Sequence, residues 1–325
     1  MWFVFSILAL LAWSGSDIFS KVGTRQNDKN SHWKVVFAVG LIMGIHFAIT
    51  LVGGAIIDNS VGVDNVSKVV ASLFYTDFVF MDFVRYLPVA GLYILAMVFG
   101  YIGLRYIELS ISSPICNCSG ALAFILCLIF GVGSAREDLS PTVIIAVVLI
   151  TVGIVALGFI ENLEDEEVKA ARQEKANRKY AKSILAFLLP IVYLIIDALG
   201  TVGDELIFAI EDEAGNGIIT DYAANSAFEL TFFLLAIFAF VWLKFVKKDS
   251  VFGGNKPFYL GATCETIGQI FYMAVMFSDF SVGMVIISAY CVLSVVWGRI
   301  FLKEKLSWKH YAAICSAFAG IILLG

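Results

Sequence analysis

Charge is scarce in this chain of 325 residues: only 15% are Asp, Glu, Lys or Arg, while 60% are apolar and the mean hydropathy is +0.90. A soluble domain of this length needs a charged surface, so the shortage excludes that class and leaves the bilayer as solvent. Clustered metal ligands are also lacking. Cys116 and Cys118 flank Asn117 without a second Cys or His group, so neither a metal nor another cofactor is expected. All six cysteines fall inside apolar segments, where they read as small core residues rather than a disulfide framework. Asp-x-x-Asp pairs and His-rich loops are missing as well, which counts against a membrane-embedded transferase, the enzymatic alternative.

Long apolar runs are what the chain has instead. They predict an all-α integral membrane protein with ten spans, at roughly 2–22, 34–57, 86–106, 109–131, 141–160, 183–207, 224–246, 257–277, 279–302 and 308–325. The last is the shortest. At about 1.5 Å per residue it still reaches roughly 27 Å, enough for a hydrocarbon core. The opening segment ends in Ser14, Gly15 and Ser16 but has no basic residues before it, so it is read as a span and not as a signal peptide. The stretch 58–84 is interrupted by Asp64, Lys68, Asp77 and Asp82 and predicts an interfacial segment.

The second half repeats the first. A shift of 167 lays Glu137, Leu139, Ser140, Ala146, Gly153 and Ile154 on Glu304, Leu306, Ser307, Ala313, Gly320 and Ile321. A shift of 169 matches Pro88 to Pro257 and Ser112 to Ser281, and one of 180 matches Asp17 to Asp197. The domains are then residues 1–160, a first five-helix repeat; 161–182, a charged linker; and 183–325, a second five-helix repeat. Within the linker, Asp165 with Lys169 and Glu174 with Arg178 are i,i+4 pairs of the favourable polarity. An odd number of helices per half means that the halves enter the membrane in opposite directions, a five-plus-five inverted repeat of the kind found in transporters. Loops after odd-numbered spans carry 19 of the 22 Lys and Arg residues, which puts those loops in the cytoplasm and both termini outside.

Near the C-terminus, Phe301-Leu-Lys-Glu-Lys-Leu-Ser-Trp308 precedes a final helix with Gly320 at its middle, and Glu137-Asp-Leu-Ser140 with Gly153 echoes this in the first half. The junction resembles the end of EamA-type members of the drug/metabolite transporter superfamily. That resemblance implies a ten-helix secondary transporter with a central cavity among the first, third, fourth, sixth, eighth and ninth helices. It also implies both termini in the cytoplasm, against the charge count.

Polar groups inside the spans are costly in hydrocarbon and are therefore the site candidates. Asp197 comes first, with Tyr193 and Thr201 on its face at i,i+4 spacing and no basic residue within a turn. Asp17, its repeat partner, lies four residues before Lys21 and predicts an interfacial ion pair. Glu265, Gln269 and Tyr272 form a second polar stripe at i, i+4, i+7. Glu229, one turn after Asn225, and His46, at the middle of the second span, are weaker candidates. Asn117 and Tyr290 are expected at the cavity from the helices that the resemblance assigns to it. Small residues at Gly40, Gly44, Ala146, Gly153, Ala313 and Gly320 predict close helix packing, and Gly120, Gly131 and Gly283 predict bending points.

Together these residues predict a secondary active transporter of the plasma membrane that moves a small polar metabolite, an amino acid or similar, by alternating access. Asp197 or Glu265 would bind a proton or a cationic group of the cargo. The partners expected are that small molecule and the lipid bilayer; no nucleic acid is expected, and a homodimer is compatible with the sequence. A structural subunit is the remaining alternative, disfavoured by buried Asp197, Glu265 and His46.

Overall fold

The computed structural model describes residues 2–23, 28–106, 109–136, 139–162, 184–213, 215–252, 256–276, 280–301 and 306–324. In hydrocarbon each backbone polar group must be satisfied within its own segment, and the apolar runs accordingly fold as helices. They are α1 (Trp2–Gly23), α2 (Ser31–Ser60), α3 (Lys68–Phe74), α4 (Phe80–Tyr106), α5 (Leu109–Phe130) and α6 (Pro141–Asn162). After the linker come α7 (Ile184–Phe208), α8 (Asp221–Val241), α9 (Lys256–Met276), α10 (Phe280–Ser288), α11 (Tyr290–Phe301) and α12 (Trp308–Leu324). Among the described residues there is no strand, only an isolated bridge between Glu211 and Gly217.

Seven helical stretches among the described residues are long and apolar enough to cross a membrane. They belong to α1, α2, α4, α5, α6, α8 and the α10–α11 segment, whereas α12, at 17 residues, is shorter. Helices α7 and α9, which carry the buried acids described below, are not among the seven. Rows of exposed aliphatic residues at helical spacing, such as Ile45, Ile49, Val52 and Ile56 on α2, give the bundle an outward apolar face.

The heaviest packing joins α1 to α9, α6 to α12, α2 to α8 and α4 to α7, each pair taking one helix from either side of the linker. Small residues set the closest of these approaches. A Cβ on Gly153 would stand 2.7 Å from the Ala313 carbonyl oxygen, and one on Gly320 would stand 2.7 Å from that of Ala146. The two repeat-related faces thus pack on each other, with Ser316 Oγ donating to Leu149 O at 2.9 Å across the same crossing.

Four local expectations change. The segment 58–84 holds α3, and α4 starts at Phe80, ahead of the predicted residue 86, because Asp82 accepts the Val79 amide at 2.9 Å and closes the first turn. Lys68 Nζ lies 3.1 Å from Asp221 Oδ2 and Thr220 donates to Asp77 at 2.7 Å, so this segment is clamped to the start of α8. The ninth span is two helices, α10 and α11, broken at Ala289. Opposite the break stands Gly120, where a Cβ would collide with the Ser288 hydroxyl; its glycine serves close approach, not bending. Gly131 has φ +67° and ends α5, its amide and that of Val132 both bonding Cys127 O, so it is a helix stop. The linker beyond residue 162 and the Glu137-Asp138 and Leu302–Lys305 junction residues lie outside the described residues.

Candidate functional site

The polar stripes of the sequence converge on one central cavity. It leaves about 110 Å³ for the centres of water-sized molecules, room for several waters or a small metabolite. Helix periodicity aims the residues inward. On α7, Tyr193, Asp197 and Thr201 follow one another a turn apart, and Glu265, Gln269 and Tyr272 do the same on α9; all six line the cavity. Asn117 of α5 and Tyr290, at the start of α11 just past the helix break, line it as well, as expected from sequence.

Three carboxylates face this space, from Asp17, Asp197 and Glu265, and no Lys, Arg or His stands among the lining residues. Hydroxyls serve the two repeat-related acids. Ser119 donates to Asp197 Oδ2 at 2.6 Å, while Ser113 and Ser294 donate to Asp17 Oδ2 at 2.6 and 2.8 Å. The expected interfacial pairing of Asp17 with Lys21 is therefore corrected: α1 turns Asp17 into the wall, where serines of α5 and α11 reach it. Thr201 spends its hydroxyl on the Asp197 backbone carbonyl at 3.1 Å. The rest of the wall is aromatic, with Trp13 packing its ring 5.2 Å from Tyr272 and 5.7 Å from Tyr290. Two buried donors of the wall, Gln269 Nε2 and Tyr101 OH, make no hydrogen bond among the described residues.

His46 and Glu229 are not part of the cavity. They find each other, His46 Nδ1 standing 2.7 Å from Glu229 Oε1, with Nε2 of the ring 3.0 Å from Leu73 O and Asn225 Nδ2 donating to Glu229 at 3.1 Å. The pair ties α2, α8 and the end of α3 together.

Two acids of the interior were not named among the sequence candidates. Asp204 and Glu205, inside the predicted sixth span, lie within α7 and are buried. Asp204 is fully enclosed by tyrosines: Tyr86 donates to Oδ1 at 2.5 Å, Tyr93 to Oδ2 at 2.6 Å and Tyr272 to Oδ2 at 3.1 Å. A signal for it existed, since Asp204 continues the stripe of Tyr193, Asp197 and Thr201 by one further turn. The adjoining Glu205 and the acidic run Glu211 to Glu213 masked that signal.

A helical membrane bundle around a polar, acid-lined cavity is the architecture of a small-molecule carrier. The comparisons agree at that level. The EamA-like transporter family model matches residues 215–325, the last third of the chain, a similarity that supports the resemblance to the drug/metabolite transporter superfamily. A solved crystal structure, described only as that of a protein, superposes with a TM-score of 0.59 over 98% of this chain and 95% of its own, at 13% identity, and so shares the fold. No curated protein matches the sequence.

Proposed function

We propose that the chain is a ten-span secondary transporter built as a five-plus-five inverted repeat, with residues 1–160 and 183–325 as its halves and 161–182 as their linker. Its cargo is a small polar metabolite bearing an amino group, an amino acid or similar, and it works by alternating access in the plasma membrane. The cavity charge carries the reading. Three carboxylates without a basic side chain repel anions and favour an ammonium group, and the aromatic wall adds cation–π attraction. Gln269 Nε2 and Tyr101 OH, buried and without acceptors among the described residues, suit the carboxylate or carbonyl of the same molecule. Protons compete with that ammonium for Asp197, Asp17 and Glu265, which gives a physical route to proton coupling.

Helix pairing supports the inverted repeat. Exchanging first-half for second-half helices turns the α1–α9 contact into α7–α4 and maps α6–α12 and α2–α8 onto themselves. Loop contacts support the alternation of spans between two faces, whichever of them is cytoplasmic: Lys34 pairs with Asp28 and Asp249, all beside odd-numbered loops, while Arg85 reaches Ile218 O and Lys68 reaches Asp221 across even-numbered ones.

The test is uptake by purified protein in liposomes from a panel of amino acids, amines, sugars and organic anions. Amino-group cargo should accumulate, and unlabelled amino compounds should compete. Uptake confined to anions or sugars would overturn the assignment.

A further inference from the structure

The cavity wall ends at the same level on three helices. Along α4 the lining runs from Tyr101 back to Tyr93, along α7 from Tyr193 to Thr201, and along α9 from Glu265 to Tyr272. Beyond those limits lie Tyr86, Asp204 and Met273, all buried to 1% exposure or less, with Tyr86 OH 4.0 Å from Met273 Sδ. The tyrosine cage of Asp204 therefore stands across one end of the cavity. It also joins the α4–α7 pair to α9, which belongs to the other cross-repeat pair, α1–α9.

We propose that Asp204 is a proton-binding site and that its cage is a latch: the ionised carboxylate holds this end of the cavity shut, and its protonation releases it. The proposal rests on the transporter reading above. Each tyrosine has one proton to give. With Asp204 ionised, Tyr86, Tyr93 and Tyr272 can all donate to it, which satisfies a buried anion without a cation. A proton arriving from the cavity through the hydroxyls of Tyr272 and Tyr93, 2.8 Å apart, binds Oδ2 and makes it a donor. Tyr93 must then turn its own O–H away. An acceptor is in place, Thr201 Oγ1 at 3.2 Å, whose proton is already committed to Asp197 O. Protonation thus exchanges charge-assisted bonds for neutral ones and leaves Tyr272 of α9 without its bond to the carboxylate. In balance, one O–H bond forms at Asp204 Oδ2 as one breaks on a hydronium ion of the cavity water, and each tyrosine hydroxyl of the relay gives up one proton as it takes another.

The other ionisable groups near Asp204 are few. Helix α7 itself brings Asp197 and Glu205, α4 brings Tyr86 and Tyr93, and α9 brings Tyr272. Helix α5 places Cys127 near Glu205, and α8 packs Phe228 on Tyr93 while its Glu229 is held by His46. The latch has no counterpart in the repeat: the shifts of 180 and 169 put Thr24 in place of Asp204, Ala262 in place of Tyr93 and Gly103 in place of Tyr272.

The test needs no cargo, so its failure and failure of the substrate assignment are separable. Purified Met273→Cys protein in liposomes would be treated with a small maleimide across neutral to acidic pH. Peptide mass spectrometry would read labelling at position 273 relative to a reporter cysteine at exposed Asn216, which cancels the pH dependence of the thiol. Relative labelling should rise as pH falls. With Asp204→Asn added it should be about tenfold faster at neutral pH, the scale of one lost charge-assisted hydrogen bond, and independent of pH. Asp64→Asn, at an exposed carboxylate outside the cavity, should keep the parent profile. If the Asp204→Asn protein does not reach the membrane, Tyr272→Phe decides: with one donor fewer, the profile should move to higher pH by about one unit. A flat profile in the parent, a parent-like profile in Asp204→Asn, or an unmoved one in Tyr272→Phe would each overturn the latch.

Discussion

Ser119 of α5 donates its hydroxyl to Asp197 of α7 at 2.6 Å, a bond between the two halves of the chain that holds a carboxylate at the cavity wall. Such a bond positions the acid for cargo or proton. Asp197→Asn should therefore abolish uptake or free it from an imposed pH gradient, while Ser119→Ala should weaken apparent affinity by about tenfold. Gradient-driven uptake at wild-type level in the Asn variant would make Asp197 structural.

Asp17 now belongs with Asp197. Because Ser113 and Ser294 hold it inside the wall, Asp17→Asn should lower transport in protein that is expressed and inserted normally. Flux per inserted molecule is the measurement. A fall in expression alone, with flux per molecule unchanged, would return Asp17 to a purely structural role.

The His46–Glu229 pair predicts a stability effect without a transport defect. Removing one partner strands a buried polar group, so Glu229→Leu or His46→Leu should each cost about 3 kcal/mol, whereas the double variant should cost less than their sum. Thermal unfolding in detergent would show it. Additive losses would mean that the two side chains act independently.

At the α6–α12 crossing, Gly153→Val and Gly320→Val should both lower thermal stability, by similar amounts, since each Cβ would press on the facing carbonyl at 2.7 Å. A large loss at one position only would contradict the reciprocal packing.

Sidedness is testable from the split of basic residues, 19 against 3. A cysteine at Asn177 should react with an impermeant thiol reagent only after the membrane is opened, and one at Asn216 should react in intact cells. The reverse pattern would place both termini in the cytoplasm, as the family resemblance implies.

The sequence by itself determined the solvent and the kind of secondary structure, because a charge content this low and apolar runs this long admit only helices in a bilayer. It also carries the matched positions on which the proposed repeat rests, and helical periodicity was enough to bring Tyr193, Asp197, Glu265, Gln269 and Tyr272 onto inward stripes. Asn117 and Tyr290 followed from helix position in the resembling family. Tertiary structure alone decided what each acid faces. Asp17 and Lys21 are a turn apart in sequence, and only the approach of α5 and α11 assigns the Asp17 carboxylate to serines 96 and 277 residues away. His46 and Glu229 are separated by 183 residues, so neither announces the other. Asp204 sits at the end of an apolar stripe and at the start of an acidic run, two local signals in conflict. The tyrosines that resolve it come from α4 and α9, because burial of a carboxylate is set by partners that packing supplies and not by its neighbours in the chain.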